Sequence, residues 1–241
     1  MTLGPNTNAP ADLLARDCIL CGGEDRQTLL DAMRVAGLDP GPSRHNYRCY
    51  EFWRFGEVLL AWTGIGTGCI EPLLWELFAP GVIERLILVG TAGRLPESPT
   101  AVGHAYLVNE AWLAGTGLDG EDLPQPLTPR WPGMERFALA STVSTDFFYG
   151  FGPRLTTGGY PFATGRLRHA YDEAIRRKTG LVEMEVAQFY AFCAAFPHAP
   201  ARFVAAKGVA NTVEMHGEQV ANSRDAIADT LRLARQLLAM P

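Results

Sequence analysis

The stretch VLLAWTGIGTGCIEPLLWELFAPGVIERLILVGTAG, residues 58–93, alternates apolar runs with turns rich in glycine. The run at 58–62 predicts a strand, and the apolar spacing after the turn 63–68 predicts a helix. The run at 86–89 predicts a buried strand that enters the turn 90–93. This order of strand, glycine turn, helix and strand is typical of a mostly parallel sheet covered by helices.

The same patterns continue through the rest of the chain. Apolar alternation predicts further strands, and helical spacing predicts further helices. The predicted strands are 18–21, 51–55, 105–108, 137–143 and 202–206, the helices 24–37, 182–196 and 222–239, and the loops 38–47 and 150–165. Because the composition does not change abruptly, we predict a single α/β domain over 17–241, preceded by an N-terminal arm at 1–16. Its central sheet is mixed, mostly parallel and flanked by helices.

The composition excludes several classes of function. The chain has 241 residues, a formal net charge of −5 and a pI near 5.6, so no basic excess is available for a nucleic-acid backbone. A small, diffusible substrate suits this charge better. The apolar runs are far shorter than a membrane span, and the N-terminal residues do not resemble a signal peptide. We therefore expect a cytoplasmic protein without a nucleic-acid or membrane partner.

The five cysteines predict thiols rather than disulfides, because an odd number in dispersed apolar segments does not suit a disulfide framework. Cys18 and Cys21 form a CxxC pair, but the run that contains them predicts a strand. Side chains of a strand alternate between its two faces, and no second pair of zinc ligands follows. We expect no bound metal and no cofactor.

Three glycine-rich turns follow predicted strands, at 22–23, 63–68 and 90–93. The carboxyl ends of parallel strands are where α/β sheets place ligands, and glycines let backbone N–H groups approach an anion. Thr67 or Thr91 adds a hydroxyl donor. The turn 63–68 offers a GxGxG but not the full dinucleotide fingerprint. One such turn commonly serves packing alone, so the prediction of a ligand site depends on the conjunction of all three.

Glu183, Met184 and Glu185 form a Glu-Met-Glu segment in a predicted helix. On spacing alone, a solvated pair of glutamates beside a core methionine explains it equally well. With the glycine turns, however, the chain resembles the nucleoside phosphorylase-I family over residues 18–240. That family includes uridine phosphorylase, hexameric purine nucleoside phosphorylase and methylthioadenosine/adenosylhomocysteine nucleosidase. The resemblance implies that Glu185 accepts hydrogen bonds from ribose hydroxyls, that Met184 packs on the sugar, and that Glu183 and Thr63 are further substrate-binding candidates.

The segment after the first predicted strand is similar to two branches of the family. Gly22 and Arg26 keep the spacing of a glycine and an arginine that hold phosphate in proteins like uridine phosphorylase. This resemblance implies that Arg26 binds phosphate and takes part in catalysis. In the nucleosidases, Glu24 falls near the glutamate that activates water. The two resemblances imply different nucleophiles, and the sequence does not choose between them.

The turn 90–93 resembles the second phosphate loop of the family, with Thr91 as the hydroxyl donor. Phosphorylases commonly carry an arginine three residues earlier, where this chain has Leu88. Losing such a charged hydrogen bond costs a bound phosphate about 1.5–3 kcal/mol. Arg44 or Arg48 is a candidate replacement, because their loop reaches a neighbouring subunit in this family, and we take Arg48 as a phosphate-binding candidate.

Two further segments concern the leaving base. The segment that ends at Phe148 is similar to one whose aromatic ring stacks on the base, so Phe148 is the stacking candidate. Arg154 falls where uridine phosphorylases carry an arginine that contacts uracil, but their companion glutamine is Gly152 here. Purine-specific relatives place an aspartate near the last strand to protonate the base, where this chain has Ala206 and Lys207.

The resemblance implies an enzyme that cleaves the N-glycosidic bond of a nucleoside. Phosphorolysis, with inorganic phosphate as co-substrate and ribose 1-phosphate as product, is the first hypothesis. Hydrolysis with water activated by Glu24 is the second, and a nucleoside-binding homologue without turnover is the third. Relatives assemble as dimers or hexamers, so we also expect a homo-oligomer.

Overall fold

Strands and helices alternate along the part of the chain that the structure describes. The computed structural model describes residues 2–116, 118, 123, 125–147, 150–214 and 217–241. The strands are β1 Asp17–Gly22, β2 His45–Tyr47, β3 Tyr50–Phe55, β4 Val58–Thr63, β5 Arg85–Arg94, β6 Ala105–Leu113, β7 Leu139–Ser144, β8 Leu181–Glu183 and β9 Arg202–Thr212. The helices are α1 Arg26–Val35, α2 Thr67–Phe78, α3 Pro153–Thr156, α4 Gly165–Arg176, α5 Val186–Ala195 and α6 Gly217–Leu238. None of these described helices has the length and apolar character needed to cross a bilayer.

The strands form one mixed sheet in the order β2-β3-β4-β1-β5-β8-β7-β6-β9. Strand β1 pairs in parallel with β4 and β5, and β5 pairs in parallel with β9. Because β5 also pairs with β8, the strands β5, β8, β7, β6 and β9 close into a ring. Strands β1 to β4 extend from this ring as an open half of the sheet. The structure confirms the predicted α/β domain with a mixed sheet and flanking helices.

Alternation along β1 divides the interior into two layers. Cys18 and Leu20 pack with residues of α2 and α5, whereas Ile19 and Cys21 pack with residues of α1 and α6. The period of two in a strand requires this alternation, and it turns the two cysteines of the CxxC pair to opposite faces of the sheet. Fully burying one aliphatic side chain contributes about 1.5–3 kcal/mol, so the two layers are the main source of stability.

Strand β5 continues through residues 90–93, where the glycines predict a turn. That prediction is wrong because β9 pairs with β5 along this stretch, with a register shift between Ala92 and Gly93. Gly90 takes a φ of +156° there, a backbone conformation that glycine adopts readily. Strand β9 is correspondingly longer than predicted and ends at Thr212. The glycines therefore let a strand bend and expose its backbone rather than end it.

The predicted helix 182–196 is divided into a strand and a shorter helix. Residues Leu181–Glu183 pair with β7 as β8, and α5 begins at Val186. Apolar spacing does not distinguish a short strand from the first turn of a helix, because only the partner strand decides between them. The Glu-Met-Glu segment therefore lies at a junction between strand and helix.

Short elements occur within or beside the predicted loops. Strand β2 lies within the predicted loop 38–47 and pairs with β3, and α3 lies within the predicted loop 150–165. Helix α4, which the sequence patterns did not identify, packs Leu167 and Tyr171 against Phe151 in a third apolar cluster. Strand β2 has three residues and α3 has four, which is too short for a periodic burial pattern to identify them.

The N-terminal arm is tied to α2 by a buried carboxylate. Glu76 accepts hydrogen bonds from the backbone N–H and the side chain of both Asn6 and Thr7. Leu14 and Ala15, at the end of the arm, are buried. The arm therefore packs on the domain next to the first strand.

Candidate active site

A cavity of about 350 Å³ lies where β1 ends, beside the second half of β5 and the start of α5. In parallel sheets this edge is the usual position of a ligand. Each of the three predicted glycine turns contributes to the cavity wall. The lining residues are Gly22, Gly23, Glu24, Ile65, Thr91, Ala92, Gly93, Thr145, Val182, Glu183, Met184, Glu185, Asn211 and Val213. Six of the residues that the sequence singled out are among them, namely Gly22, Glu24, Thr91, Glu183, Met184 and Glu185.

Glu185 connects the first two turns. It occupies the position before α5, and its Oε1 accepts a hydrogen bond of 3.1 Å from the backbone N–H of Gly66. The same oxygen would lie 3.1 Å from a Cβ on Gly23, whose φ is +79°. Its Oε2 lies 3.3 Å from Nζ of Lys207. The carboxylate is thus buried in the site rather than in bulk solvent, and its predicted contact with ribose hydroxyls stays a prediction.

Glu183 also lines the cavity, but the protein itself uses both of its carboxylate oxygens. Oε2 accepts hydrogen bonds of 2.7 and 2.8 Å from the backbone N–H groups of Glu185 and Val186. Oε1 accepts from the hydroxyls of Ser144 and Thr142. The first N–H groups of a helix have no partner within the helix, so Glu183 caps α5. Its proposed substrate contact stays a prediction, and its observed contacts fix the position of Glu185.

Glu24 faces the cavity from the other side. It is only partly exposed, and its Oε1 accepts a hydrogen bond from the backbone N–H of Thr91. Burial raises the pKa of Glu24 above its ordinary value, although the hydrogen bonds from Thr91 and the charge of Lys207 act in the opposite direction. A carboxylate whose pKa lies closer to neutrality is well suited to take a proton from water.

Lys207 is a charged residue beside the cavity to which the sequence analysis assigned no role. It lies in the interior of β9 with 1% of its surface exposed, and its Nζ is 3.7 Å from Oε2 of Glu183. Burial opposes its charge, but Glu185, Glu183 and Glu24 together raise the pKa of Lys207 above its ordinary value. The available signal was a lysine within the run of small and apolar residues 203–210.

Arg26 does not line the cavity, and its predicted role in holding phosphate stays a prediction. Its guanidinium makes two hydrogen bonds to the buried carboxylate of Glu51 on β3, of 2.5 Å from Nε and 2.8 Å from Nη2. Leu88, where phosphorylases commonly carry an arginine, is fully buried in the core. Among the described residues that line the cavity, none is an arginine. Of the predicted phosphate ligands, Gly22 and Thr91 are the ones that line the described cavity wall.

Three other predicted site residues lie elsewhere, and a fourth is not described. Arg48 is exposed between β2 and β3, and Arg154 is exposed on α3. Thr63 is buried, and its hydroxyl donates to the backbone oxygen of Cys69 at 3.4 Å. Phe148 falls outside the described residues. Substrate contacts by these four side chains stay predictions, because the described cavity wall includes none of them.

The two ends of the cavity differ in character. Glu24 and Lys207 both lie beside Gly90, whereas Asn211 and Val213 lie beside Gly93. Three residues of strand span about 10 Å, roughly the length of a nucleoside. Asn211 was also missed by the sequence patterns, because β9 was predicted to end before it. In the described part of the chain, no group of His, Cys, Asp and Glu side chains is arranged to hold a metal ion.

Solved structures with the same fold include a phosphorylase, a nucleosidase and a hydrolase. Purine nucleoside phosphorylase from Toxoplasma gondii, solved with immucillin-H, superposes with a TM-score of 0.70 at 16% identity, over 98% of each chain. A 5'-methylthioadenosine/S-adenosylhomocysteine nucleosidase from Neisseria meningitidis, solved with methylthio-immucillin-A, gives 0.66 at 14% identity, over 92% of this chain and 98% of that one. A futalosine hydrolase mutant of Helicobacter pylori gives 0.62 at 14% identity, over 91% and 99%. At these identities the likeness shows the fold alone.

The sequence itself matches a family as well. Residues 18–239 match the model of the phosphorylase superfamily. No curated protein matches the chain at a significant level. The family match covers nearly the whole domain and includes all the residues that line the cavity.

Proposed function

The chain belongs to the phosphorylase superfamily, and from that membership we propose that it hydrolyses the N-glycosidic bond of a nucleoside with Glu24 as the general base. One observation favours hydrolysis over phosphorolysis. The carboxylate of Glu24 accepts the backbone N–H of Thr91 at the cavity wall, where a phosphate would otherwise bind. A carboxylate of the protein thus occupies the Thr91 N–H that the family resemblance assigns to phosphate.

Charge supports the same choice. A phosphate dianion in this cavity would meet the carboxylates of Glu24 and Glu185, with Lys207 as the nearby buried cation. Two like unit charges 4 Å apart near a protein surface repel by about 4 kcal/mol. Arg26, the cation that the sequence assigned to phosphate, is already held by Glu51. A neutral water molecule meets none of this repulsion.

The proposed reaction needs one proton transfer at the sugar. Glu24 takes a proton from water as the water oxygen forms a bond to C1′, and the bond between C1′ and the base nitrogen breaks with its electron pair going to the base. The base then takes up a proton from solvent, and Glu24 returns its proton to solvent. Positive charge develops on the sugar in such a transition state, and a nearby carboxylate stabilises it. We assign that role to Glu185, which Gly66 and Lys207 hold in place. The rate then depends on preorganised groups.

The orientation of the substrate follows from the two ends of the cavity. The sugar would lie at the charged end, against Glu185 and Met184, with water between C1′ and Glu24. The base would lie about 10 Å along β5, beside Gly93. There Val182 and Val213 offer apolar contacts and Asn211 offers an amide. This end suits an aromatic heterocycle with polar edges.

The test is a panel of purine and pyrimidine nucleosides incubated with the protein, with and without phosphate. Hydrolysis predicts that the base is released at the same rate in both conditions. Release that requires phosphate would support phosphorolysis instead. A nucleoside that raises the melting temperature but releases no base over long incubation would indicate a binding protein without turnover.

A further inference from the structure

Four side chains that can carry a charge at neutral pH share the interior beside the charged end of the cavity. Three are carboxylates, Glu24, Glu183 and Glu185, and the fourth is the ammonium of Lys207. Removing a charged group from water costs several kcal/mol unless partners compensate for it. Lys207 is 1% exposed, so the carboxylates must provide that compensation.

The geometry gives Lys207 contacts with two sides of the site. Its Nζ is 3.3 Å from Oε2 of Glu185 and 3.7 Å from Oε2 of Glu183. A Cβ on Gly90 would lie 3.1 Å from this Nζ and also 3.1 Å from Oε1 of Glu24. The absence of a side chain at Gly90 thus lets the ammonium approach Glu24 from across β5.

We infer that Lys207 is a positioning residue, whose ammonium aligns the Glu185 carboxylate and keeps Glu24 ionised as a proton acceptor. The catalytic part of this inference rests on the proposed function, whereas the electrostatic part does not. Without the ammonium, the Gly66 N–H would be the one fixed donor left to Glu185 among the described residues, and the carboxylates would repel each other.

The groups that face Glu24 allow the direction of the effect to be worked out. They are Lys207 from β9, Glu185 from the start of α5, Cys21 from β1 and the N–H of Thr91 from β5. Cys21 is neutral because burial raises the pKa of its thiol well above the ordinary value. Removing the ammonium therefore removes the main positive charge near Glu24, and the pKa of Glu24 rises.

The experiment compares Lys207→Met and Lys207→Arg in the full chain, with Lys178→Met as the matched control. Lys178 is the other lysine of the sequence and is exposed. For base release, Lys207→Met should move the acid limb of the kcat/KM profile to higher pH by about one to three units. Lys207→Arg retains the charge and should keep most of the wild-type profile, and Lys178→Met should leave it unchanged. A side chain that only packs would change the rate without moving the limb.

A second readout does not need turnover. In protein labelled with ¹³C at glutamate carboxyl carbons, the Glu24 signal is assigned by its loss in Glu24→Gln. Lys207→Met should raise the titration midpoint of that signal. A midpoint that stays in place overturns the inference, even if the wild type hydrolyses nucleosides. A midpoint that moves in a protein without base release supports the inference and overturns the proposed function instead.

Lys207→Met leaves three carboxylates buried together, so folding is checked by circular dichroism. If that variant does not fold, Lys207→Met combined with Glu183→Gln replaces it, because the pair removes one positive and one negative charge. The double variant is compared with Glu183→Gln alone. An equal Glu24 midpoint in these two proteins overturns the inference, and a higher midpoint in the double variant supports it.

Discussion

Glu24 is the residue on which the type of reaction depends. Replacing it with glutamine preserves the shape and an oxygen that accepts the Thr91 N–H, but removes the basic oxygen. We expect Glu24→Gln to lower kcat for base release by about 10²- to 10⁴-fold, the usual contribution of a general base. Glu57→Gln is the control, because 89% of that side chain is exposed. A Glu24→Gln protein with wild-type kcat would contradict the assignment.

The raised pKa of Glu24 also predicts how activity depends on pH. A general base acts when it is deprotonated, so kcat/KM should rise with pH and reach a plateau above the pKa of Glu24. Burial places that pKa above the ordinary value of 4.5. The midpoint of the acid limb should therefore lie above 4.5, and it should disappear in the residual activity of Glu24→Gln. A wild-type limb at or below 4.5 would contradict this prediction.

The free energy of unfolding should change with pH in the direction opposite to kcat/KM. A carboxyl group whose pKa is raised by folding stabilises the protein below its unfolded pKa, and this contribution is lost as the pH rises through the folded pKa. Ionised Glu24 therefore lowers the free energy of unfolding at pH 8. Glu24→Gln should have a higher melting temperature than the wild type at pH 8, and a smaller advantage at pH 4.5. If the melting temperatures of Glu24→Gln and the wild type differ by the same amount at both pH values, burial does not raise the pKa of Glu24.

Gly90 tests how Glu24 and Lys207 pack against the backbone of β5. A Cβ there would lie 3.1 Å from atoms of both residues and 3.2 Å from the backbone oxygen of Gly22. We expect Gly90→Ala to cost about 1–3 kcal/mol of stability and to lower kcat. Gly103→Ala is the control, because Gly103 has a φ of +85° but no atom within 4 Å of the Cβ position. Similar losses of kcat in the two variants would contradict a specific role for Gly90.

At the scale of elements, the start of α5 holds the site together. The hydroxyl of Ser144 on β7 donates to Glu183 and accepts the backbone N–H of Ala187 at 2.8 Å. We expect Ser144→Ala to reduce the free energy of unfolding by about 1–2 kcal/mol and to raise KM, because Glu185 is the residue before this helix. Urea denaturation and steady-state kinetics measure the two effects.

The control for Ser144 is another helix cap. Thr164 caps α4 by accepting the backbone N–H of Leu167 at 3.1 Å, and neither residue lines the cavity. Thr164→Ala should cost about 1 kcal/mol of stability without changing KM. If Ser144→Ala behaves in the same way, the cap does not position Glu185.

The strands and helices also show which parts of the fold local sequence patterns predict. The alternation of Cys18 to Cys21 and the apolar run at 86–89 predict β1 and β5, because the period of side-chain burial is local information. The end of β5 and the division between β8 and α5 were not predicted. Both depend on pairing with β9 and β7, which lie far away in the sequence. Pairing between distant strands overrides the local signal of glycine or apolar spacing.

At the scale of the whole molecule, the fold collects the site from elements spread along the chain. The family resemblance predicted Glu185, Gly22 and Thr91 near one another, and the structure places them around one cavity. The position of Arg26 was not predictable, because its partner Glu51 comes from the open half of the sheet. The role of Lys207 was not predictable for the same reason, because it depends on three carboxylates that other elements contribute.

The identity of the sugar product tests the proposed chemistry most directly. The wild-type protein is incubated with its best nucleoside substrate in phosphate buffer, and the mixture is followed by ³¹P and ¹H NMR. Hydrolysis by Glu24-activated water predicts free ribose and an unchanged inorganic phosphate signal. The appearance of ribose 1-phosphate in proportion to the released base would contradict it.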